Sequence, residues 1–443
     1  MNTDATHILP GIQGISGRAL NAAVLLYTRW ETERERSPLD RVVAGFFRSR
    51  RDLNSRERRW ISEAIYGCVR FLRRQTLLLE ASHLADTPEN RIRLWAEPAL
   101  PGSPLPTPDT PRDYLRITLS FPDALADELE ALLGPEALTA AAAFNTQAPT
   151  TLRVNTLRTT RARVLDTLEG ATPTRYSPWG VVLAHRVNIY DLPGFREGWY
   201  EVQEEASQLV ALSTNVQPGQ IVVDVGAGAG GKTLALAALM QNQGRIVAVD
   251  SSAERLEELE KRAARAGATC IETCVVPTDT SGCWQPEGRA KRTLNRLAQA
   301  ADCVLVDAPC TGSGVLRRSP DAKWRTFDLD AMTAHQQMLL TQAASLVRTE
   351  GTLLYATCAF ERRQNEEVAA SFLTSAPGAV FQVEALCIPG TEGLHTSASP
   401  YLRTWPHRHG MDAFFAVCLK RRGVAPPFLS ERIATGSAAK EAR

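Results

Sequence analysis

The chain has 443 residues, 44% hydrophobic and 22% charged, with a formal net charge of +1, the balance of an ordinary globular protein long enough for two or three domains. Its most apolar stretch, Ile221–Met240, is broken by Asp224 and Lys232, short of the ~20 apolar residues that cross a bilayer, and an N-terminus with Asp4 and His7 but no apolar core reads as no secretory signal, hence a cytosolic protein. Nine cysteines in such a length make no disulfide scaffold, and Cys270 and Cys274 lack the spacing and the paired histidines of a zinc site, so no metal is expected.

Residues 17 to about 85 read as helical. Ala19, Ala23, Leu26 and Trp30 recur at helical spacing, and Asn54 with Glu57 forms a capping pair ahead of a stripe of Ile61, Ile65, Cys68 and Leu72. From Arg29 to Arg74 thirteen arginines meet seven carboxylates. Such an excess is either a solvated helix face or a phosphate-contacting surface, and Arg58, Arg59, Arg70 and Arg73, expected to face solvent, are the RNA-binding candidates. Residues 98–111 form a proline-rich linker or insertion, after which helical patterns return at Pro122–Leu133 and Glu136–Phe144. Thr151–Asn155 and Val181–Leu183 then read as strands and Thr160–Leu168 as a helix, a small α/β unit.

From Ala206 onward β-branched runs alternate with amphipathic helices. The predicted strands are Ile221–Val225, Arg245–Asp250, Thr269–Val276, Cys303–Asp307, Thr352–Thr357 and Ala413–Leu419; Lys232–Gln241, Ser252–Ala266 and Asp328–Val347 are predicted helices between them. This alternation implies a mostly parallel, doubly wound α/β sheet of the Rossmann-like kind. The loops that begin at Gly226, Ser251, Ala308 and Cys358 then share the rim at the strands' carboxyl ends, where such sheets bind ligands. The expected division is a helical domain over 1–147, the small α/β subdomain over 148–205, the doubly wound domain over 206–422 and a tail over 423–443.

The glycine-rich run Gly226-Ala227-Gly228-Ala229-Gly230-Gly231-Lys232-Thr233 follows a strand and opens a helix. It also fits the phosphate-binding loop of nucleotide hydrolases, with Asp307 in the place of a magnesium ligand. Three features weigh against that. Asp250 ends the next strand, where a carboxylate bonds the ribose hydroxyls of an adenosyl group. Asp307 is followed by Ala-Pro-Cys310-Thr-Gly-Ser-Gly, which presents a thiol at the rim. Cys358 follows another apolar strand at the same rim. One rim cysteine is ordinarily a core thiol, but a triphosphatase has no use for two.

Asp307-Ala-Pro-Cys310-Thr-Gly-Ser-Gly, Tyr355-Ala-Thr-Cys358 with Asn365-Glu-Glu, Gly230-Gly-Lys-Thr, Leu152-Arg-Val-Asn-Thr-Leu and the late Arg403, Pro406 and Asp412-Ala-Phe-Phe segment together resemble the RNA 5-methylcytosine methyltransferases of the sun/nucleolar-protein family. Asn54-Ser-Arg-Glu-Arg-Arg and Tyr66-Gly-Cys-Val-Arg resemble the NusB-like RNA-binding domain of its bacterial ribosomal members. The chain departs from the family at Gly226-Ala-Gly-Ala, where a cysteine-alanine-alanine-proline turn is usual, and at Ala413, where glycine is. The longer Asp279–Cys303 stretch adds Arg289, Lys291, Arg292 and Arg296. His407, Arg408 and His409 read as surface residues.

The resemblance implies S-adenosylmethionine as cofactor and RNA, most readily 16S ribosomal RNA, as substrate. It assigns Cys358 as the nucleophile that adds to cytosine carbon 6 and Cys310 to enzyme release; Asp307 is expected to bond the base at N3 or its amino group, and Lys232, which matches a family lysine, to orient the base or screen nearby carboxylates. Gly226, Ala227, Gly228, Ala229, Gly230, Gly231, Lys232, Asp250, Asp279 and Asp307 are the expected cofactor contacts. The contrasting reading is a non-catalytic RNA-binding or ribosome-assembly factor, against which the two intact thiols stand.

Overall fold

The structure, a computed structural model, describes residues 16–96, 105–386, 388, 391, 394 and 400–423. Residues 98–104 of the proline-rich stretch and 424–443 of the expected tail lie outside these. Among the described residues, no helix is long and apolar enough to cross a membrane. The chain divides into two units, one of residues 1–147 with 315–326, the other of 148–314 with 327–443. The first division falls after residue 147, the small antiparallel sheet and the larger sheet lie in one unit, and residues 315–326 lie with the helices.

The helical unit opens with α1 (Gly17–Glu33), α2 (Leu39–Ser49) and α3 (Ser55–Arg70). Ala19, Ala23, Leu26 and Trp30 are all buried, as their spacing requires, against Ile61, Ile65 and Cys68 of α3. The capping box is present: Asn54 accepts from the Glu57 N–H while Glu57 accepts from the Asn54 N–H. Residues 315–326 are woven into this unit by buried polar contacts. Lys323 Nζ donates to Asn145 Oδ1 at 2.6 Å and to the carbonyls of Arg70 and Ser120, Trp324 Nε1 donates to the Val69 carbonyl at 2.6 Å, and Asp321 accepts from the Leu39 N–H. Burial, with the neighbouring Arg70 charge, holds the Lys323 ammonium well below the ordinary lysine range.

In the second unit, β1 (Thr151–Val154), β2 (Thr172–Pro173), β3 (Gly180–Val182) and β4 (Tyr200–Val202) form an antiparallel sheet in the order β2-β3-β1-β4, with helix Arg161–Thr167 against it. β2 and β4 carry no sequence signal of their own: two or three residues are too few to show alternation. The larger sheet comprises β5 (Ile221–Val225), β6 (Arg245–Asp250), β7 (Ile271–Val275), β8 (Ala301–Asp307), β9 (Val347–Thr357), β10 (Phe381–Glu384), β11 (Leu402–Arg403) and β12 (Phe415–Arg421). Its order is β10-β12-β9-β8-β5-β6-β7, with β11 beside β12. β9 through β7 are parallel, and β12 and β10 close one side antiparallel.

Valines 223, 225, 247, 249, 304 and 306 are each almost wholly buried, and side chains of that size contribute roughly 1.5–3 kcal/mol apiece. Strands covered on both faces read as continuous apolar runs. β9 begins five residues before the expected Thr352, because its first part, Val347-Arg-Thr-Glu-Gly, contains a left-handed Glu350 (φ 62°) and a glycine that no strand pattern includes. The chain order reverses between β5 and β8, and the crevice beyond their carboxyl ends is where such a sheet holds a ligand.

Candidate active site

The glycine loop leaves β5 with Gly226, Gly228 and Gly230 all at positive φ (78°, 54° and 85°), a conformation side chains resist. Gly226 is also sterically fixed, since a Cβ there would stand 2.4 Å from the Asp307 carbonyl oxygen, whereas one at Gly228 would meet nothing nearer than 4.0 Å. The loop is held from below and behind. The N–H groups of Gly226 and Ala227 donate to the Val249 carbonyl, and that of Gly228 donates to Asp250 Oδ2 at 2.8 Å. Asp250 Oδ1 accepts from the Ser252 N–H. Each Asp250 oxygen keeps a lone pair for a ribose hydroxyl.

Two supports were not foreseen. Arg262 Nη1 donates to the Ala229 carbonyl at 2.6 Å, and Arg262 itself is gripped by buried Glu201 of β4, which also pairs with Arg265. Fully buried Asp224 accepts from Thr233 Oγ1 at 2.6 Å, and desolvation pushes its carboxyl up to about 7. A glutamate on a short strand and an arginine on an amphipathic helix carry no individual sequence signal. Thr233, next to Lys232, was legible only as part of the loop.

Gly230 caps helix Gly231–Leu239, which carries Lys232. Its Nζ donates to Asp307 Oδ2 at 2.6 Å and lies 5.7 Å from the Phe414 ring centroid. Burial pulls this ammonium's pKa down, but the charge and hydrogen bond of Asp307, with Cys358 and Asp224 nearby, outweigh it and leave the value raised. The lysine is thus committed to a carboxylate rather than held out over the loop as a phosphate-binding lysine is.

Parallel pairing of Asp307 with Ala356 brings the next turns of β8 and β9 to one rim. Cys310 and Cys358 there are half-buried free thiols with their Sγ atoms 3.4 Å apart. Their hydrogen bond is the leading influence on both: it draws Cys310 down and, with burial, holds Cys358 well up, so the pair shares a proton. Lys232 acts in the opposite sense on Cys358.

A buried polar network fixes the two loops to each other. Glu361 accepts from Thr311 Oγ1 (3.0 Å) and from the Ser313 hydroxyl; Gln364 accepts from the Thr311 N–H; and Gln336 donates to the Pro309 carbonyl. The Gly314 N–H donates to the Cys358 carbonyl, where a Cβ on Gly314 would come within 1.9 Å of the Ala413 carbonyl oxygen.

Lys232, Asp307, Cys310 and Cys358 therefore meet at the rim, with Gly226–Gly231 and Asp250 next along it. Asp279 is exposed, and its own turn uses its carboxylate: Oδ1 accepts from Ser281 and the Cys283 N–H, Oδ2 from Gln285. The expectation that all four arginines of the helical unit face solvent is corrected. Arg58 donates to the carbonyls of Phe47, Arg50 and Leu53, Arg70 to that of Arg317, and Arg73 to that of Phe121 and to Asp123; only Arg59 is largely exposed, paired with Glu63. Helical spacing places a side chain on a face but does not reveal which carbonyls a neighbouring turn offers it. Arg289, on helix Gly288–Leu297, pairs with Glu272 of β7. His409, expected at the surface, accepts the Trp405 N–H through Nδ1, and burial pushes its pKa down to about 4.

Comparison with known proteins identifies the family and the fold. Residues 211–420 match the family model described as 16S rRNA methyltransferase RsmB/F, and residues 121–190 match the RsmF/B-like ferredoxin-like domain. The latter begins earlier than the expected subdomain boundary at 148, taking in helices Asp123–Leu133 and Ala137–Phe144. A protein of Synechocystis named probable ribosomal RNA small subunit methyltransferase B is 34% identical over 68% of this chain and 67% of its own length. The ribosomal RNA small subunit methyltransferase B of Pseudomonas putida is 35% identical over 54% of this chain and 53% of its own. The chain thus spans from about half to two thirds of the length of these relatives. A solved methyltransferase homolog from Pyrococcus horikoshii is 27% identical, with a TM-score of 0.58 over 70% of this chain and 99% of that one.

Proposed function

Because the chain belongs to the 16S rRNA methyltransferase RsmB/F family, we propose that it methylates carbon 5 of a cytosine in small-subunit ribosomal RNA. The family fixes the cofactor as S-adenosylmethionine, and the loop fits it. Gly228 leaves open space over the backbone, helix Gly231–Leu239 offers free N–H groups to a carboxylate, and Asp250 stands at the end of β6 for a ribose. Bound there, it supplies an electrophilic methyl group.

The observation that carries the finer reading is the thiol pair at 3.4 Å beside the Lys232–Asp307 ion pair. Carbon 5 of cytosine is a weak nucleophile. Addition of the Cys358 thiolate to carbon 6 breaks the 5,6 double bond and moves its electron pair to carbon 5, making that carbon nucleophilic toward the methyl group the cofactor would supply, whose bond to sulfur would break and leave the thioether with the electron pair. Asp307, oriented by Lys232, holds the base at N3 and its amino group as charge develops. The Cys310 thiolate, beside Cys358, takes the carbon 5 proton, the C–H electron pair reforms the 5,6 double bond, and the Sγ–C6 bond breaks with its electrons returning to Cys358 as a thiolate. Cys310 serves that release.

The test is bisulfite mapping of ribosomal RNA from cells with and without the gene, paired with labelled methyl transfer by the purified chain. One cytosine should lose its protection in the deletion and regain it with the wild-type gene. An unchanged cytosine map refutes the reading.

A further inference from the structure

The helical unit carries more positive charge than its own side chains neutralise. From Arg29 to Arg59 ten arginines meet six carboxylates. Arg29 pairs with Glu33, Arg34 with Glu35, Arg50 with Asp52 and Arg59 with Glu63, while Arg58 is spent on backbone carbonyls. Arg41, Arg48, Arg51 and Arg56 are exposed, and among the described residues none of them has a carboxylate partner. Arg41 and Arg48, seven apart on α2, project from one face two turns from each other, with Gly45 between them on the same face. Arg51 follows the end of α2, and Arg56 lies in the first turn of α3.

Gly45 gives this patch a shape. A Cβ there would stand 3.6 Å from Arg29 Nη2 and 3.8 Å from Arg48 Nη2, with nothing closer. Two guanidinium ends from different helices therefore converge over a notch the size of a methyl group. The fold does not require glycine here, because an alanine would make only ordinary contacts, and a mid-helix glycine costs roughly 0.5–1 kcal/mol relative to alanine. Each Nη2 lies within 4 Å of that Cβ position, so one phosphate set over Gly45 can take a charge-assisted hydrogen bond from each guanidinium.

We propose that the Gly45 notch, with Arg29 and Arg48 as its walls and Arg41, Arg51 and Arg56 around it, docks consecutive backbone phosphates of the RNA substrate. The proposal rests on the RNA methyltransferase reading. It moves the RNA surface from Arg58, Arg70 and Arg73, which serve the fold, to Arg41, Arg48, Arg51 and Arg56, which have no carboxylate partner among the described residues, beside Arg29, whose Nε is held by Glu33 while its Nη2 faces the notch.

The test uses the full chain, with transcribed small-subunit ribosomal RNA as the probe. One variant carries Arg41→Gln, Arg48→Gln, Arg51→Gln and Arg56→Gln together; a second is Gly45→Leu, which plugs the notch and keeps every charge; Arg112→Gln, an exposed arginine elsewhere in the unit, is the control. The quadruple variant should bind RNA at least tenfold more weakly. Its plot of log affinity against log salt should flatten by roughly 3 to 3.5 units, at about 0.7–0.9 for each of the four lost phosphate contacts. Gly45→Leu should weaken binding severalfold, and the control should leave it unchanged. Affinity for S-adenosylmethionine should be the same throughout. An unchanged salt slope in the quadruple variant, or full affinity in Gly45→Leu, overturns the proposal while wild-type methylation stands. A wild-type chain that transfers no methyl group to any RNA fails the earlier reading instead.

Discussion

Replacing Cys310 by alanine separates the two thiols' tasks. The two Sγ atoms share one hydrogen bond, and that bond is the largest influence holding the Cys358 thiol up. Removing it takes away the largest of the causes that raise the Cys358 thiol, leaving burial and Asp307 set against the opposing Lys232 charge, so addition to carbon 6 and methyl transfer should still proceed. Release should not. A positioned acid–base group contributes typically 10²–10⁴-fold, about 2.7–5.4 kcal/mol on the barrier at 1.36 kcal/mol per decade, so multiple turnover should fall by that factor while a first turnover persists. Cys310 is half-buried and outside the main core clusters, so the melting temperature should hardly move. The assay is single-turnover methylation with labelled cofactor, followed by denaturing electrophoresis. Cys310→Ala should give about one methyl group per enzyme and a slow-migrating protein–RNA band. Cys358→Ala should give neither, and the double variant no band. A band from Cys358→Ala but not from Cys310→Ala would falsify the assigned roles; methylation by both variants without any band would remove the covalent mechanism.

Other consequences are measurable separately. Arg262→Gln takes the donor from the Ala229 carbonyl and should weaken S-adenosylmethionine binding about tenfold or more, as loss of a charged hydrogen bond does; an unchanged calorimetric Kd means the loop holds its shape unaided. Lys232→Met leaves Asp307 alone and should abolish turnover at a cost of about 1–3 kcal/mol in stability, below the full penalty of a broken buried pair because Asp307 keeps some solvent; full activity would exclude the ion pair from the chemistry. S-adenosylmethionine at a hundredfold its Kd should stabilise the protein by about 2.7 kcal/mol, whereas ATP with magnesium should shift the melt far less, and the reverse order would revive the hydrolase reading. Lys323 is depressed in the folded state, so the unfolded chain binds more protons between that depressed value and the ordinary lysine pKa. Stability should therefore rise with pH across that window, and Lys323→Met should flatten the rise in denaturant melts from pH 7 to 10.

The parts of this protein legible in sequence are those where a local rule has no competitor. Ile221–Val225 and Arg245–Asp250 were readable to the residue, since buried parallel strands show as mostly apolar β-branched runs and a glycine or an aspartate ends each. The rim residues were readable as motifs, and strand register then explains why loops 48 residues apart in sequence bring their thiols together. What stayed hidden depends on partners distant in the chain. Arg58, Arg70 and Arg73 look like solvent residues until the carbonyls beside them are seen. Lys323 looks like a surface lysine until Asn145 and two carbonyls close around it. Glu201 and Arg262 gain meaning only when the small sheet is placed behind the glycine loop.

The segment 315–326 has a practical consequence for taking the protein apart. The chain passes between its two units three times, after residues 147, 314 and 326, so no single scission yields two intact pieces. A fragment starting at Ala148 retains Lys323 and Trp324 but strips away Asn145, Ser120 and Val69, which accept their hydrogen bonds; a fragment ending at Gln147 loses the indole that donates to Val69. Either should be poorly soluble, and a chimera that grafts the helical unit of a relative should fold only when the dozen residues following Gly314 are exchanged with it.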